Sequence, residues 1–108
     1  MDLYKAQPFI RFINTYVSLT KEEETIILDM VSYRKYLKGQ YVVQQGDICK
    51  QSGFIISGCT RTFYADEEGQ EHIVMFSFEN WWASEIGSFV SQSPSDYNVR
   101  CIENTFLL

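Results

Sequence analysis

Apolar residues recur at helical spacing near the start of the chain. Between residues 3 and 17 they lie on one face of a predicted helix, at Phe9, Ile10, Phe12 and Ile13. Pro8 lies near the first turns, where a helix tolerates proline. The break at residues 18–20 predicts the end of this first helix.

A second helix is predicted to begin after Thr20. Thr20 and Glu23 have the spacing of a capping box, and residues 22–24 are acidic at the positive end of the helix. Its buried face is expected to consist of Ile26, Ile27, Met30 and Val31. The two helices together occupy about residues 3–32.

From residue 33 onward the pattern changes to short apolar or alternating runs between glycine turns. The runs lie at 36–37, 40–44, 54–57, 60–64, 71–78, 99–102 and 105–108. The acidic stretch 66–69 is typical of a hairpin turn. On the run that follows it, one face is expected to carry His72, Val74, Phe76 and Phe78.

Short strands after two helices predict a mainly β fold with N-terminal helices. The strands are expected to form an antiparallel β-roll, also called a double-stranded β-helix or jelly roll, over about residues 33–108. A chain of 108 residues is long enough for one core, so residues 1–108 are predicted to be a single domain.

Charge and cysteine content narrow the classes of function. The net charge is −5 and the Lys and Arg residues are not clustered, so this 108-residue chain is not expected to bind DNA. There is no apolar run of membrane-spanning length and no signal-peptide pattern, which argues against a membrane partner. The three cysteines, Cys49, Cys59 and Cys101, form no CxxC pair and indicate a reducing cytoplasm with no disulfide framework.

The stretch 76–89, FSFENWWASEIGSF, is the most distinctive in the chain. Trp81 and Trp82 are large enough to close a core or to form the wall of a pocket. Glu85 stands among small residues, where it would either begin a helix or bind a ligand.

Five segments carry a resemblance to a known family. KGQ at 38–40, QGD at 45–47, FIISG at 54–58, DEEGQE at 66–71 and SEIGSF at 84–89 resemble the cyclic-nucleotide-binding domain of Crp/Fnr-type bacterial regulators. The resemblance covers about residues 20–108, and its glycines fall where that β-roll turns. It implies a phosphate-binding loop near residues 84–97.

In nucleotide-binding members a Gly-Glu pair opens a short helix, the Glu binds the ribose hydroxyl, and a later Arg binds the cyclic phosphate. Glu85 matches that Glu, Ser84 replaces the Gly, and Pro94-Ser95-Asp96 stands where the Arg belongs. Arg100 is the nearest cation, and in the next strand it is expected to face solvent. The implied ligand-binding residues are Val74, Trp82, Ser84, Glu85, Ile86, Gly87, Ser88, Ser95, Asp96 and Tyr97.

The resulting hypothesis is a non-catalytic, ligand-sensing domain of a Crp/Fnr-type transcription regulator, with an unknown small-molecule effector other than cyclic AMP. Such regulators continue into a dimerisation helix and a helix-turn-helix, which are absent from these 108 residues. A homodimer is an open alternative, because Phe106, Leu107 and Leu108 would form an uncovered apolar patch.

Two alternative functions stay open. The first is a genuine cyclic-nucleotide-binding domain. The second is a cupin-like metal enzyme, but such sites need clustered histidines and His72 is the only His in the sequence. No cofactor is implied, since an iron–sulfur cluster of the Fnr kind needs four thiolates and the chain has three cysteines.

Overall fold

The computed structural model describes the backbone of residues 3–108 and the side chains from residue 5 onward. Within these residues three helices and eight strands follow one another. In order they are α1 Leu3–Asn14, α2 Lys21–Met30, β1 Arg34–Tyr36, β2 Tyr41–Val43, β3 Gly53–Ser57, β4 Thr60–Ala65, β5 Glu71–Ser77, β6 Trp82–Ala83, α3 Ile86–Ser91, β7 Asn98–Cys101 and β8 Thr105–Leu107. The prediction of a β-roll with N-terminal helices is confirmed.

The strands form two four-stranded antiparallel sheets. Their strand orders are β1-β8-β3-β6 and β2-β7-β4-β5, so consecutive strands alternate between the sheets except for the β4–β5 hairpin, which lies within one sheet. The core contains one cluster of buried residues contributed by both sheets and by the loop after β2: Val43, Cys49, Ile55, Ala83, Val99 and Leu107. All three cysteines are buried as free thiols, as expected for small apolar residues.

Helix α1 packs against β3. Adjacent strand residues point to opposite faces, so Ile55 joins the core while Phe54 meets the helix. The Phe54 ring lies 5.1 Å from that of Phe9 and 5.0 Å from that of Phe12. Ile10 is also buried, so this contact forms a second apolar cluster outside the roll.

The predicted buried face of α2 is wrong, although the predicted start of the helix is right. The capping box is present, with Thr20 Oγ1 accepting from the Glu23 amide at 3.2 Å and Glu23 Oε1 accepting from the Thr20 amide at 2.9 Å. Ile26 is nevertheless 58% exposed, Met30 is 79% exposed, and no residue of α2 is buried. Periodicity shows which residues share a face, but not whether another element covers that face.

Strand β5 contains an extra residue that changes its two faces. Thr62 of β4 pairs with Met75 and the next residue, Phe63, pairs with Ile73, which leaves Val74 in a β-bulge. The prediction that His72, Val74, Phe76 and Phe78 share one face is therefore wrong. The bulge interrupts the alternation of side chains on which that prediction depended.

The C-terminal residues do not form the exposed apolar patch that the sequence indicated. Leu107 is buried, whereas Phe106 and Leu108 are half-buried. Strand β5 is instead an edge strand of its sheet, and its apolar side chains at 73–76 are between 42% and 50% exposed.

Candidate functional site

Glu85 is the residue that begins α3. Its Oε1 accepts a hydrogen bond from the Gly87 amide at 3.0 Å, and its Oε2 accepts one from the Ser88 amide at 2.9 Å. A Cβ on residue 87 would lie 3.1 Å from Oε1, so glycine gives the carboxylate room. Both of these amides bind the protein's own carboxylate, and they are therefore not open to an external anion.

The side chains around α3 tie it to the β2–β3 loop, residues 44–52. The buried Ser88 hydroxyl accepts from the Cys49 amide at 2.8 Å and donates to the Ser93 carbonyl. The Ser84 and Ser52 hydroxyls lie 3.3 Å apart. These contacts hold α3 against a segment that is distant in sequence.

The segment where the family resemblance expects an arginine, Pro94-Ser95-Asp96, has a buried serine at its centre. Ser95 is 2% exposed, and its hydroxyl donates to the Tyr97 carbonyl at 2.7 Å and accepts from the Tyr97 amide at 3.1 Å. Its backbone pairs with Gly46 and Asp47 at 2.8 Å. Asp96 is exposed and adds a negative charge beside this segment.

The nearby arginines lie on the outer face of the second sheet. Arg61 pairs with Arg100 across the strands, whereas Thr62 pairs with the core residue Val99, so the arginines point away from the core. Arg100 points outward as expected, but it is half-buried there, and its Nε donates to the Gly39 carbonyl at 2.9 Å. Neither arginine is directed into the roll.

Arg61 has partners of its own on that outer face. Its Nη2 lies 3.1 Å from Glu71 Oε1, and its guanidinium lies 4.2 Å from the centre of the Phe63 ring. The arginine thus covers an aromatic ring and is paired with a carboxylate at the same time. It belongs to the packing of the sheet surface.

The interior face of the β4–β5 hairpin was missed by the sequence reasoning. Thr62 pairs with both Val99 and Met75, which places Met75 on the same side of the sheet as the core. Tyr64 follows on that face and stacks on His72, with the ring centres 4.8 Å apart. The alternation from Thr60 to Tyr64 was the available signal, but the bulge at Val74 concealed the partner residues.

The remaining expected ligand residues have different surroundings. Val74 is the bulged residue of β5, and Ile86 is exposed on α3. The centre of the Trp82 ring lies 5.6 Å from that of Phe54 and 6.2 Å from that of Phe9, on the α1 side of its sheet. Neither Trp81 nor Trp82 is fully buried.

Two features of the titratable groups follow from their contacts. His72 Nε2 lies 2.9 Å from Asp66 Oδ2, and this hydrogen bond, together with the amides of Gln70 and Glu68, lowers the pKa of Asp66. Burial raises the pKa of the Cys59 and Cys101 thiols. Within residues 3–108 no group of three or more His, Cys, Asp or Glu side chains is arranged to hold a metal ion.

The family model for the cyclic nucleotide-binding domain matches residues 33–108. Solved structures share the fold at low sequence identity. The catabolite activator protein of Thermus thermophilus is 24% identical, with a TM-score of 0.71 over 85% of this chain and 43% of that one. The sensor domain of the transcriptional regulator DNR from Pseudomonas aeruginosa is 19% identical, with a TM-score of 0.77 over 98% of this chain and 72% of that one.

A third similar structure is the regulatory subunit of a cAMP-independent protein kinase A from Trypanosoma brucei. It is 17% identical, with a TM-score of 0.75 over 97% of this chain and 37% of that one. This chain therefore spans about two fifths of the length of the Thermus and Trypanosoma chains. No curated protein matches it, and none of its described helices is long and apolar enough to cross a membrane.

Proposed function

The chain belongs to the cyclic nucleotide-binding domain family, and on this premise we propose that it is the ligand-sensing, non-enzymatic domain of a Crp/Fnr-type transcription regulator whose effector is not cyclic AMP. The fold likeness to the Thermus activator and to the DNR sensor domain supports the regulator class. The observation that carries the choice of effector is the buried Ser95 in the segment where the resemblance expects an arginine.

Binding of a cyclic phosphate in a partly desolvated site needs a cation or several backbone amides that point at the phosphate. Ser95 directs its hydroxyl to its own segment, and the Gly87 and Ser88 amides already bind Glu85. The carboxylate of Asp96 would repel a phosphate. Two like unit charges about 4 Å apart repel each other by about 1 kcal/mol in water and by about 4 kcal/mol near a protein surface. These contacts favour an effector that is smaller or less anionic than a cyclic nucleotide.

The proposed mechanism is a population shift of α3. An effector on the interior face would contact Thr62 and Met75 and would favour one position of the loop that Glu85 caps. The Ser88–Cys49 and Ser95–Asp47 hydrogen bonds would transmit that position to the β2–β3 loop. In this proposal the small-molecule effector is the partner of these residues, and DNA is bound by another part of the regulator, because the net charge of −5 opposes binding to phosphates.

A genuine cyclic-nucleotide site is the second candidate, and the position of Glu85 at the start of α3 favours it. Isothermal titration with cyclic AMP and cyclic GMP separates the two. Micromolar affinity requires about 8 kcal/mol, and a single hydrogen bond to a charged group supplies only about 1.5 to 3 kcal/mol. We therefore expect no heat for the unaltered chain and a gain of binding for Ser95→Arg.

A dissociation constant in the low micromolar range for the unaltered chain, lost in Glu85→Gln, would establish the second candidate. Circular dichroism of each variant serves as the control for folding. Binding of neither nucleotide by the unaltered chain, with binding restored by Ser95→Arg, would show that the missing cation decides the selectivity.

A further inference from the structure

A cavity of about 680 Å³ lies beside the loop of residues 84–97, of which only Phe89 lines it. It is bounded by the end of α2, strands β1 and β2, the β2–β3 loop and the end of β8, and none of the ten expected ligand residues lines it. We propose that this cavity binds a small amphipathic anion with an apolar chain and a carboxylate head.

The apolar part of the cavity has a buried floor and an exposed rim. Val43 and Leu107 of the core form part of its lining. Three exposed apolar side chains from three separate elements stand around it, namely Met30 of α2, Ile48 of the β2–β3 loop and Phe89 of α3. The volume lies within the range of about 300 to 1,000 Å³ that is typical of small-molecule sites.

The polar part of the lining selects an anion. Arg34 and Lys50 both line the cavity, and within residues 3–108 neither has a carboxylate within ion-pair distance. Asp47 is the acidic residue among the lining. In a chain of net charge −5, two cations without ion-pair partners beside an apolar cavity match a ligand with an acidic head and an apolar tail.

The cavity adjoins the loop without being part of it. Phe89 of α3 lines it, and so does Cys49, whose amide is held by Ser88 of α3. Ile48 forms an isolated bridge with Pro94. A ligand in this cavity would therefore contact residues that are hydrogen-bonded to α3 and to the 93–97 segment.

Methionine methyl NMR of the 108-residue chain, titrated with decanoate below its micelle concentration, tests the proposal. Met30 lines the cavity, whereas Met75 lies on β5 outside its lining and serves as the reference signal. We expect the Met30 signal to shift in a saturable way and by clearly more than the Met75 signal. Decyltrimethylammonium, which has the same chain and the opposite charge, should leave both signals in place.

Charge variants identify the residues that bind the head group. The double variant Arg34→Gln/Lys50→Gln should weaken binding by at least about tenfold, because two charge-assisted contacts are lost. Lys35→Gln is the matched control: it lies on the same strand as Arg34 but does not line this cavity. It should change the affinity by no more than about twofold at physiological salt.

An apolar pair of variants tests the chain-binding part. Ile48→Ser should weaken decanoate binding, and Ile73→Ser, at a similarly exposed position on β5 outside the cavity, should not. The proposal is overturned if Met30 does not shift, if the cationic amphiphile binds as well, or if Lys35→Gln and the double variant behave alike. A Met30 shift that depends on protein concentration, with a dimer by light scattering, would assign the cavity to a second copy and would also overturn it.

Discussion

Replacing Glu85 by alanine removes the two hydrogen bonds that begin α3. Loss of an N-cap side chain costs about 0.5 to 2 kcal/mol. Ser88 is buried, so its freed amide cannot be fully hydrated, and an unsatisfied buried donor costs about 1 to 3 kcal/mol. Because the two figures describe the same bonds in part, we expect a loss of about 2 kcal/mol in the free energy of unfolding.

Urea unfolding measures this loss through the fluorescence of Trp81 and Trp82, which lie just before Glu85. In a thermal scan each kcal/mol should lower the Tm by about 4 to 8 °C for a domain of this size. Glu85→Asp keeps a carboxylate at a position where aspartate is a preferred cap, and it should retain most of the stability.

Glu68→Ala is the matched control for the change in charge. The Glu68 side chain is exposed in the β4–β5 turn and only its backbone amide is hydrogen-bonded, so its removal should cost less than about 0.5 kcal/mol. If Glu85→Ala were no less stable than Glu68→Ala, the capping role of Glu85 would be refuted. The Gly87 and Ser88 amides could then also be available to a phosphate.

Three further results are expected. Gly58→Ala should destabilise the chain by several kcal/mol in urea unfolding, because residue 58 has φ +115° and a Cβ there would lie 2.7 Å from Thr105 Cα. Gly69→Ala should cost less, because residue 69 has φ +82° but open space around it. Equal losses of stability in the two variants would show that the contact with Thr105 does not matter. The pKa of Asp66 is lowered from its ordinary value of 3.8, so the contribution of this carboxylate to stability is present above that pH and is lost as the pH falls through the lowered pKa. The urea midpoints of the unaltered chain and of Asp66→Asn should therefore converge below about pH 4. A constant gap between the two midpoints would contradict a stabilising role for the ionised Asp66. Iodoacetamide at pH 8 should label the three cysteines only in urea, because they are buried and because burial raises the pKa of the Cys59 and Cys101 thiols. Labelling is measured by mass spectrometry. Rapid labelling of the folded chain would show that these sites open to solvent.

Local chemistry could be predicted from the sequence because its causes lie within a few residues. The Thr20–Glu23 capping box and the hairpin turn before Gly69 both form as expected. Gly39, Gly46, Gly58 and Gly69 all have positive φ, the conformation that glycine turns require. Of the candidate site, the position of Glu85 at a helix start belongs to this class, since a cap contacts amides only two and three residues ahead.

The tertiary structure decided what covers each face and what each side chain meets. Met30 remains exposed because no element among residues 3–108 covers that side of α2, and the bulge at Val74 reverses the faces of β5 in a way that strict alternation could not predict. Ser95 is held by residues 46 and 47, and Arg34 and Lys50 line one cavity only because elements that are distant in sequence meet there. Such contacts depend on chain segments that are far apart in sequence, and a pattern with a period of two or of 3.6 residues carries no information about them.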